Sequence, residues 1–149
     1  FRNMTAIPFI RPAISTDENS ILALLEELEN RVFDAAIFTD IFQTYLSDSL
    51  TIIKVAVAED ERICGFISCK GQPLLHHEGL VFEIQELIVT ASHQGRGVGR
   101  QLIASLKPEL TQLGAKSLEV TSNKRRKEAH AFYQSVGFLN SHEKFTIYF

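Results

Sequence analysis

Two carboxylates and a glycine-rich turn lie close together in this chain. Glu83 and Glu86 sit in the strand-like run Glu83-Ile84-Gln85-Glu86-Leu87-Ile88-Val89, and Gln94-Gly95-Arg96-Gly97-Val98-Gly99 follows, at the entrance to a helical pattern. Glycines remove the Cβ atoms that keep a ligand off the main chain, and the first N–H groups of a helix have no internal partner. With the helix dipole and Arg96 added, such a turn favours a pyrophosphate. A strand carboxylate beside it is suited to accept a proton, more so if burial lifts its pKa toward neutrality. Period-two alternation places Glu83 and Glu86 on opposite faces unless a bulge intervenes, so only one of them is expected to line a site. For either residue the alternative is a surface or salt-bridged carboxylate.

The remaining polar clusters are less directed. Lys124-Arg125-Arg126-Lys127 is a local basic run in a chain of net charge -3, a balance that gives no general attraction to nucleic acid. His76, His77, His93, His130 and His142 lack the spacing of a helical or finger-type zinc site, and no metal site is expected. Only His76 and His77 are adjacent. They read as exposed loop histidines, with a substrate-loop or divalent-metal contact as the alternative. Cys64 and Cys69, five apart in one apparent strand, should face opposite ways and stay unpaired, as free thiols do in a reducing cytosol.

At 149 residues and 45% hydrophobic content, the chain is long enough for one domain, residues 1–149, with a real core, and too short for two ordinary ones. No apolar run approaches the roughly 20 residues that span a bilayer, and the start lacks a basic region followed by a long apolar one. A soluble cytoplasmic protein is expected. The only methionine is Met4, so Phe1 to Asn3 are expected to be foreign to the native chain.

The elements that must position the carboxylates and the turn follow from hydrophobic period. Phe9 to Ile14 reads as an edge strand because Pro12 interrupts it. Ser15, Thr16 or Asp17 can cap a helix carrying Ile21, Leu24, Leu25 and Leu28 to about Asn30, and Ile37 to about Ser49 forms a second amphipathic helix. Thr51 to Glu59 and Arg62 to Ser68 read as a hairpin around Glu59-Asp60-Glu61, Gly71 to Gly79 as a loop, and Leu80 to Thr90 as a long strand. A helix from Gly97 to about Leu113 follows, with Pro108 an unexplained misfit inside it. Lys116 to Thr121 is a strand, Glu128 to Val136 a helix, and Phe145 to Phe149 a closing strand. A mixed sheet covered by helices results, and its parallel crossover carries the glycine turn where ligands collect.

The Glu83 to Val89 strand, the Gln94-x-x-Gly97-x-Gly99 turn, and Ala129-His130-Ala131-Phe132-Tyr133 with Gly137-Phe138 together resemble the GNAT family of N-acetyltransferases over nearly the whole chain. Thr121-Ser122-Asn123, Ser141-His142 and Phe145-Thr146 are most similar to its aminoalkylphosphonate N-acetyltransferases. The resemblance implies an α/β GNAT fold, a mixed, mostly antiparallel sheet of six to seven strands covered by about four helices. It implies acetyl transfer from acetyl-coenzyme A to a primary amine of a small molecule by direct attack, and pairing of two copies as a homodimer. Glu83 takes the place of the family's general base, ahead of Glu86, and Tyr133 that of the general acid. Ile88 and Val89 would hold pantetheine through main chain, with an N–H near Val89 opposite the oxyanion. Gln94, Gly95, Arg96, Gly97, Val98, Gly99 and Arg100 would hold the pyrophosphate, Asn123 the pantetheine, and the Lys124 to Lys127 run a phosphate. A protein amine is the alternative acceptor, and two rivals stand beside this: a module that binds acetyl-coenzyme A without turnover, and a dinucleotide-binding domain suggested by Glu119, 20 residues after Gly99. The glycine spacing and the antiparallel strands before the turn both count against the second.

Overall fold

The computed structural model describes residues 7–149, so the expectation for Phe1 to Asn3 lies outside it. Five strands, β1 (Phe9–Pro12), β2 (Thr51–Val57), β3 (Ile63–Leu74), β4 (Gly79–Val89) and β5 (Ser117–Val120), form one sheet in the order β1-β2-β3-β4-β5. Only β4 and β5 run parallel. Helices α1 (Glu18–Glu29) and α2 (Ala35–Ser47) cover one face, and α3 (Val98–Ser105), α4 (Lys107–Gln112) and α5 (Lys127–Ser135) pack toward the other.

Alternation along the strands builds both layers. Ile53, Val55 and Phe66 point toward Ile21, Leu24 and Leu25 of α1 and Phe42 of α2, whereas Ile52, Ala56 and Ile67 point toward Leu102, Ile103 and Leu110. Asp17 does not cap α1. Its carboxylate accepts the Ile14 N–H at 2.8 Å and two bonds from the Arg11 guanidinium, at 2.8 and 2.9 Å, and so ties β1 to the start of α1. α1 stops at Asn30, whose φ of 52° is left-handed.

Four expectations change. β3 continues through Leu74, so most of the expected Gly71 to Gly79 loop is strand, closed by a single 3-10 turn at Leu75–His77. Gly71 is required there because a Cβ would lie 2.5 Å from the Phe82 ring on β4, and Pro73 lies where β3 has outgrown β2. The expected Gly97 to Leu113 helix is two helices. Pro108 falls in the first turn of α4, where its missing N–H costs nothing, and Lys54 Nζ donates to the freed Ser105 carbonyl at 2.8 Å while pairing with Glu109. The sheet has five strands rather than six or seven, because Phe145 to Phe149 pairs with nothing among the described residues and its Phe145, Ile147, Tyr148 and Phe149 side chains are exposed. Cys64 and Cys69 are free, yet both enter the α3-side core instead of facing opposite ways. The register slips between Ala56 and Val57, leaving Cys64 as an extra residue on β3 and breaking its alternation.

Candidate active site

The site begins as an unpaired edge. β4 pairs with β3 over its whole length, from Gly79 to Val89, but with β5 only from Val81 to Ile84. From Gln85 onward the two parallel strands part and leave a fork. In an antiparallel pair, successive residues alternate in sending their N–H and C=O toward the partner strand or away from it. Thr90 N–H donates to the Cys64 carbonyl at 2.9 Å, so Val89 points away from β3; its carbonyl accepts the Gln94 side-chain amide at 3.1 Å. Two residues back, Leu87 points into the fork as well. Ile88, expected there, turns its main chain toward β3 and its side chain into the α1-side core.

A 3-10 turn at Ala91–His93 leads from the fork to the glycine turn. Gly95 and Gly97 have φ of 76° and 83°, and a Cβ at either would meet nothing within 4 Å, so left-handed backbone rather than crowding demands glycine there. Gly97 caps α3 without a side chain, which leaves the first helical N–H groups facing outward. Arg96 is exposed on this turn, Val98 buries its side chain, and Arg100 reaches Ser135 Oγ at 3.4 Å. Gly99 serves packing, since a Cβ would lie 3.2 Å from the Phe132 ring of α5.

Glu83 and Glu86 share a face. Ser68 pairs with Glu86 and Cys69 with Ile84, so Gln85 is an extra residue and β4 has a bulge between the two carboxylates. The odd spacing therefore becomes even, and both carboxylates lie on the side of α1 and α2. This corrects the expectation that they diverge. Glu83 accepts a hydrogen bond from Thr121 Oγ1 at 2.9 Å, across the fork. Glu86 accepts bonds from the Tyr45 hydroxyl, at 3.0 and 3.2 Å, and from Ser68 Oγ, while its N–H donates to Ser68 Oγ at 3.1 Å. Burial and the Glu86 charge raise the Tyr45 pKa above its ordinary value, so the phenol stays a donor.

Tyr45, Ser68 and Lys70 are members of this site that sequence reasoning missed. Lys70 lies across from Glu83 and across from Thr51, in one row over β2, β3, β4 and β5 that ends at Glu119. Two other cations that could meet an anionic substrate group lie elsewhere: Arg31 pairs with Glu29 at 3.2 Å and lies 4.0 Å over the Phe33 ring, and Lys144 is exposed in the final segment.

Tyr133 comes from the opposite face. It packs edge-on against Phe132 and Phe138 in the α3-side layer, and burial raises its phenol above the ordinary value. Asn123 spends its side-chain oxygen on the Arg125 N–H at 2.9 Å, and its carbonyl meets His130 Nε2 at 2.8 Å. Lys124 pairs with Glu143 at 3.1 Å, while Arg125, Arg126 and Lys127 stand exposed before and at the start of α5. His76 and His77 lie with ring centroids 4.1 Å apart and planes tilted by 45° on the exposed β3–β4 turn, and no three His, Cys, Asp or Glu side chains converge as a metal site among the described residues.

A fork beside a glycine turn, with carboxylates on one face of the sheet and a phenol packed in the layer against the other, is a layout that could serve group transfer. Residues 19–138 match the acetyltransferase (GNAT) family, and the chain belongs to that family of acetyltransferases. It is 36% identical over 137 residues to the aminoalkylphosphonate N-acetyltransferase of Salmonella typhimurium, covering 92% of this chain and 88% of that one. In fold it is similar to a transcriptional regulator from Bacillus halodurans C-125, with a TM-score of 0.87 and 23% identity over 95% of this chain and 99% of that one. The glucosamine-6-phosphate N-acetyltransferase from Arabidopsis thaliana superposes with a TM-score of 0.79 at 20% identity, over 95% and 97%.

Proposed function

We propose that the chain acts as one N-acetyltransferase domain that moves the acetyl group of acetyl-coenzyme A to the primary amine of a small molecule, an aminoalkylphosphonate by its relative's name. The observation that carries this reading is the fork, which leaves main-chain groups of Leu87 and Val89 without a strand partner beside the glycine turn and next to Glu83. The residues fit a long pyrophosphate ligand: amides in its arm would add to β4 as a strand does, and its phosphates would meet the first N–H groups of α3 with Arg96 beside them. Acetyl-coenzyme A supplies the activated thioester. Arg125 and Lys127 stand where a further phosphate would offset their unfavourable place at a helix N-terminus.

Glu83 takes the proton of the attacking amine, whose ammonium form has an ordinary pKa near 10.4 and cannot attack. Val89 N–H, turned into the fork, donates to the oxygen that gains charge. Tyr133 gives its proton to the leaving sulfur, and its raised pKa keeps that proton in place at neutral pH. Base and acid stand on opposite faces of the sheet, so the reacting carbonyl lies between them in the fork. Cys64 and Cys69, free and buried, suit a reducing cytoplasm.

Thiol release from acetyl-coenzyme A across a panel of amines, including aminoalkylphosphonates, polyamines and aminoglycosides, tests this. Amine-dependent release is expected. Tight coenzyme A binding without release from any amine would favour a sensing module.

A further inference from the structure

Lys70 and Glu83 are cross-strand partners on one face of the sheet, where neighbouring strands run about 4.8 Å apart. Opposite charges so placed ordinarily pair. Here each is drawn away from the other. Lys70 Nζ lies 4.5 Å from the Tyr45 ring centroid, 3.4 Å from Thr51 Oγ1 and 4.0 Å from Asp48 Oδ2, all on the β2 and α2 side. Glu83 leans the other way, to Thr121 on the β5 side. No ion pair joins the two within 4.0 Å among the described residues.

The result is a cation and a carboxylate on neighbouring strands whose side chains lean apart, so that neither neutralises the other. Of the cations on this face of the strands, Arg11 is committed to Asp17 by two hydrogen bonds, which leaves Lys70. Among the described residues, the carboxylate within 4.0 Å of Lys70 Nζ is Asp48, exposed just past the end of α2 and at the limit of ion-pair distance. Lys70 is thus weakly paired, a third exposed and backed by an aromatic ring.

We propose that Lys70 is the residue that selects the substrate, by binding an anionic group, a phosphonate, carried two or three carbons from the amine. This rests on the acetyltransferase reading above, and it adds the residue that makes the site prefer a short zwitterion over a plain amine. A molecule with an ammonium at one end and a phosphonate at the other is the charge complement of the Glu83–Lys70 gap. Its phosphonate meets Lys70 and its nitrogen falls beside Glu83; the Thr51 hydroxyl accepts from Lys70 and gives its own proton to Asp48 at 2.6 Å, so it steadies the lysine. The interaction is made before and during reaction alike, so it acts on KM more than on kcat.

The test compares 2-aminoethylphosphonate with propylamine in wild type, Lys70→Gln and Lys70→Arg, measuring KM and kcat. In Lys70→Gln, KM for the phosphonate should rise roughly tenfold or more, as loss of a hydrogen-bonded charge pair implies, with kcat little changed and KM for propylamine unmoved. Lys70→Arg should recover most of the loss. Ethylphosphonate should compete with the amine in wild type and not in Lys70→Gln, a measurement that also holds if turnover in the variant is low. Equal changes for both amines, or equal inhibition of both proteins by ethylphosphonate, would overturn the assignment. Wild type that acetylates propylamine as readily as the phosphonate would sink this inference alone, whereas wild type that acetylates neither would sink the activity itself.

Discussion

The two faces of the sheet are made by the same strands, residue by residue in alternation, and they have opposite characters. Toward α3 and α4, the central strands present Ile67, Cys69, Phe82 and Ile84, all buried. Toward α1 and α2, their immediate neighbours in sequence are Ser68, Lys70, Glu83 and, past the bulge, Glu86. One face closes on itself as core. The other is apolar only under α1, at Val55, Phe66 and Ile88, and becomes polar where β4 and β5 begin to part. On the proposed mechanism a single strand serves stability on one side and chemistry on the other, and adjacent residues should respond to substitution in different observables.

The pair Glu83 and Phe82 gives the sharpest break of that contrast. Glu83→Gln should lower kcat by about 10² to 10⁴ at neutral pH, with little change in thermal unfolding. Steady-state rates with unaltered turnover would take Glu83 out of the mechanism. Phe82→Ala, one residue away, should cost about 3–5 kcal/mol in denaturant unfolding, because the ring fills the core beneath Gly71. A loss under about 1 kcal/mol would mean that the α3 face is not the stabilising one.

Tyr133 blurs the contrast, being the one proposed chemical group on the α3 side. Tyr133→Phe should slow turnover by about tenfold or more while keeping its packing against Phe132 and Phe138. The acid must be protonated, and its folded pKa is raised, so activity should hold through neutral pH and fall only above the ordinary tyrosine value of about 10. That alkaline limb in kcat should vanish in the variant; a limb that persists belongs to another group. The smallest effect is expected at the cysteines. Burial pushes the Cys69 thiol up to about 12 and raises Cys64 as well, so neither should react with a neutral-pH thiol reagent until the chain unfolds. Rapid labelling of the native protein would show that the α3 face opens.

Legibility in the sequence followed the range of the forces involved. The glycine turn, the β4 strand, α5 and the order of the strands as far as β5 rest on local pattern and lie where expected. The Gln85 bulge does not, because an exposed glutamine in a strand has nothing to mark it as extra, and only the register against Ser68 and Cys69 reveals it. Tyr45, Ser68 and Lys70 come from separate elements and meet only in space. Gly71-Gln72-Pro73 has the composition of a loop, yet pairing with β4 overrides that preference. Phe145 to Phe149 errs the other way, with strand composition and no partner among the described residues.

Gln85 has one more consequence. Pairing between β4 and β5 stops at Ile84, the residue just before it. A bulge bends and twists its strand, so this one residue acts like the slider of a zipper, holding the teeth apart from that point on. Deleting it would leave every other side chain of β4 on its present face, since what is removed is the surplus. The straightened strand could then close along β5, giving a protein with more sheet and more hydrogen bonds that has sealed its own entrance.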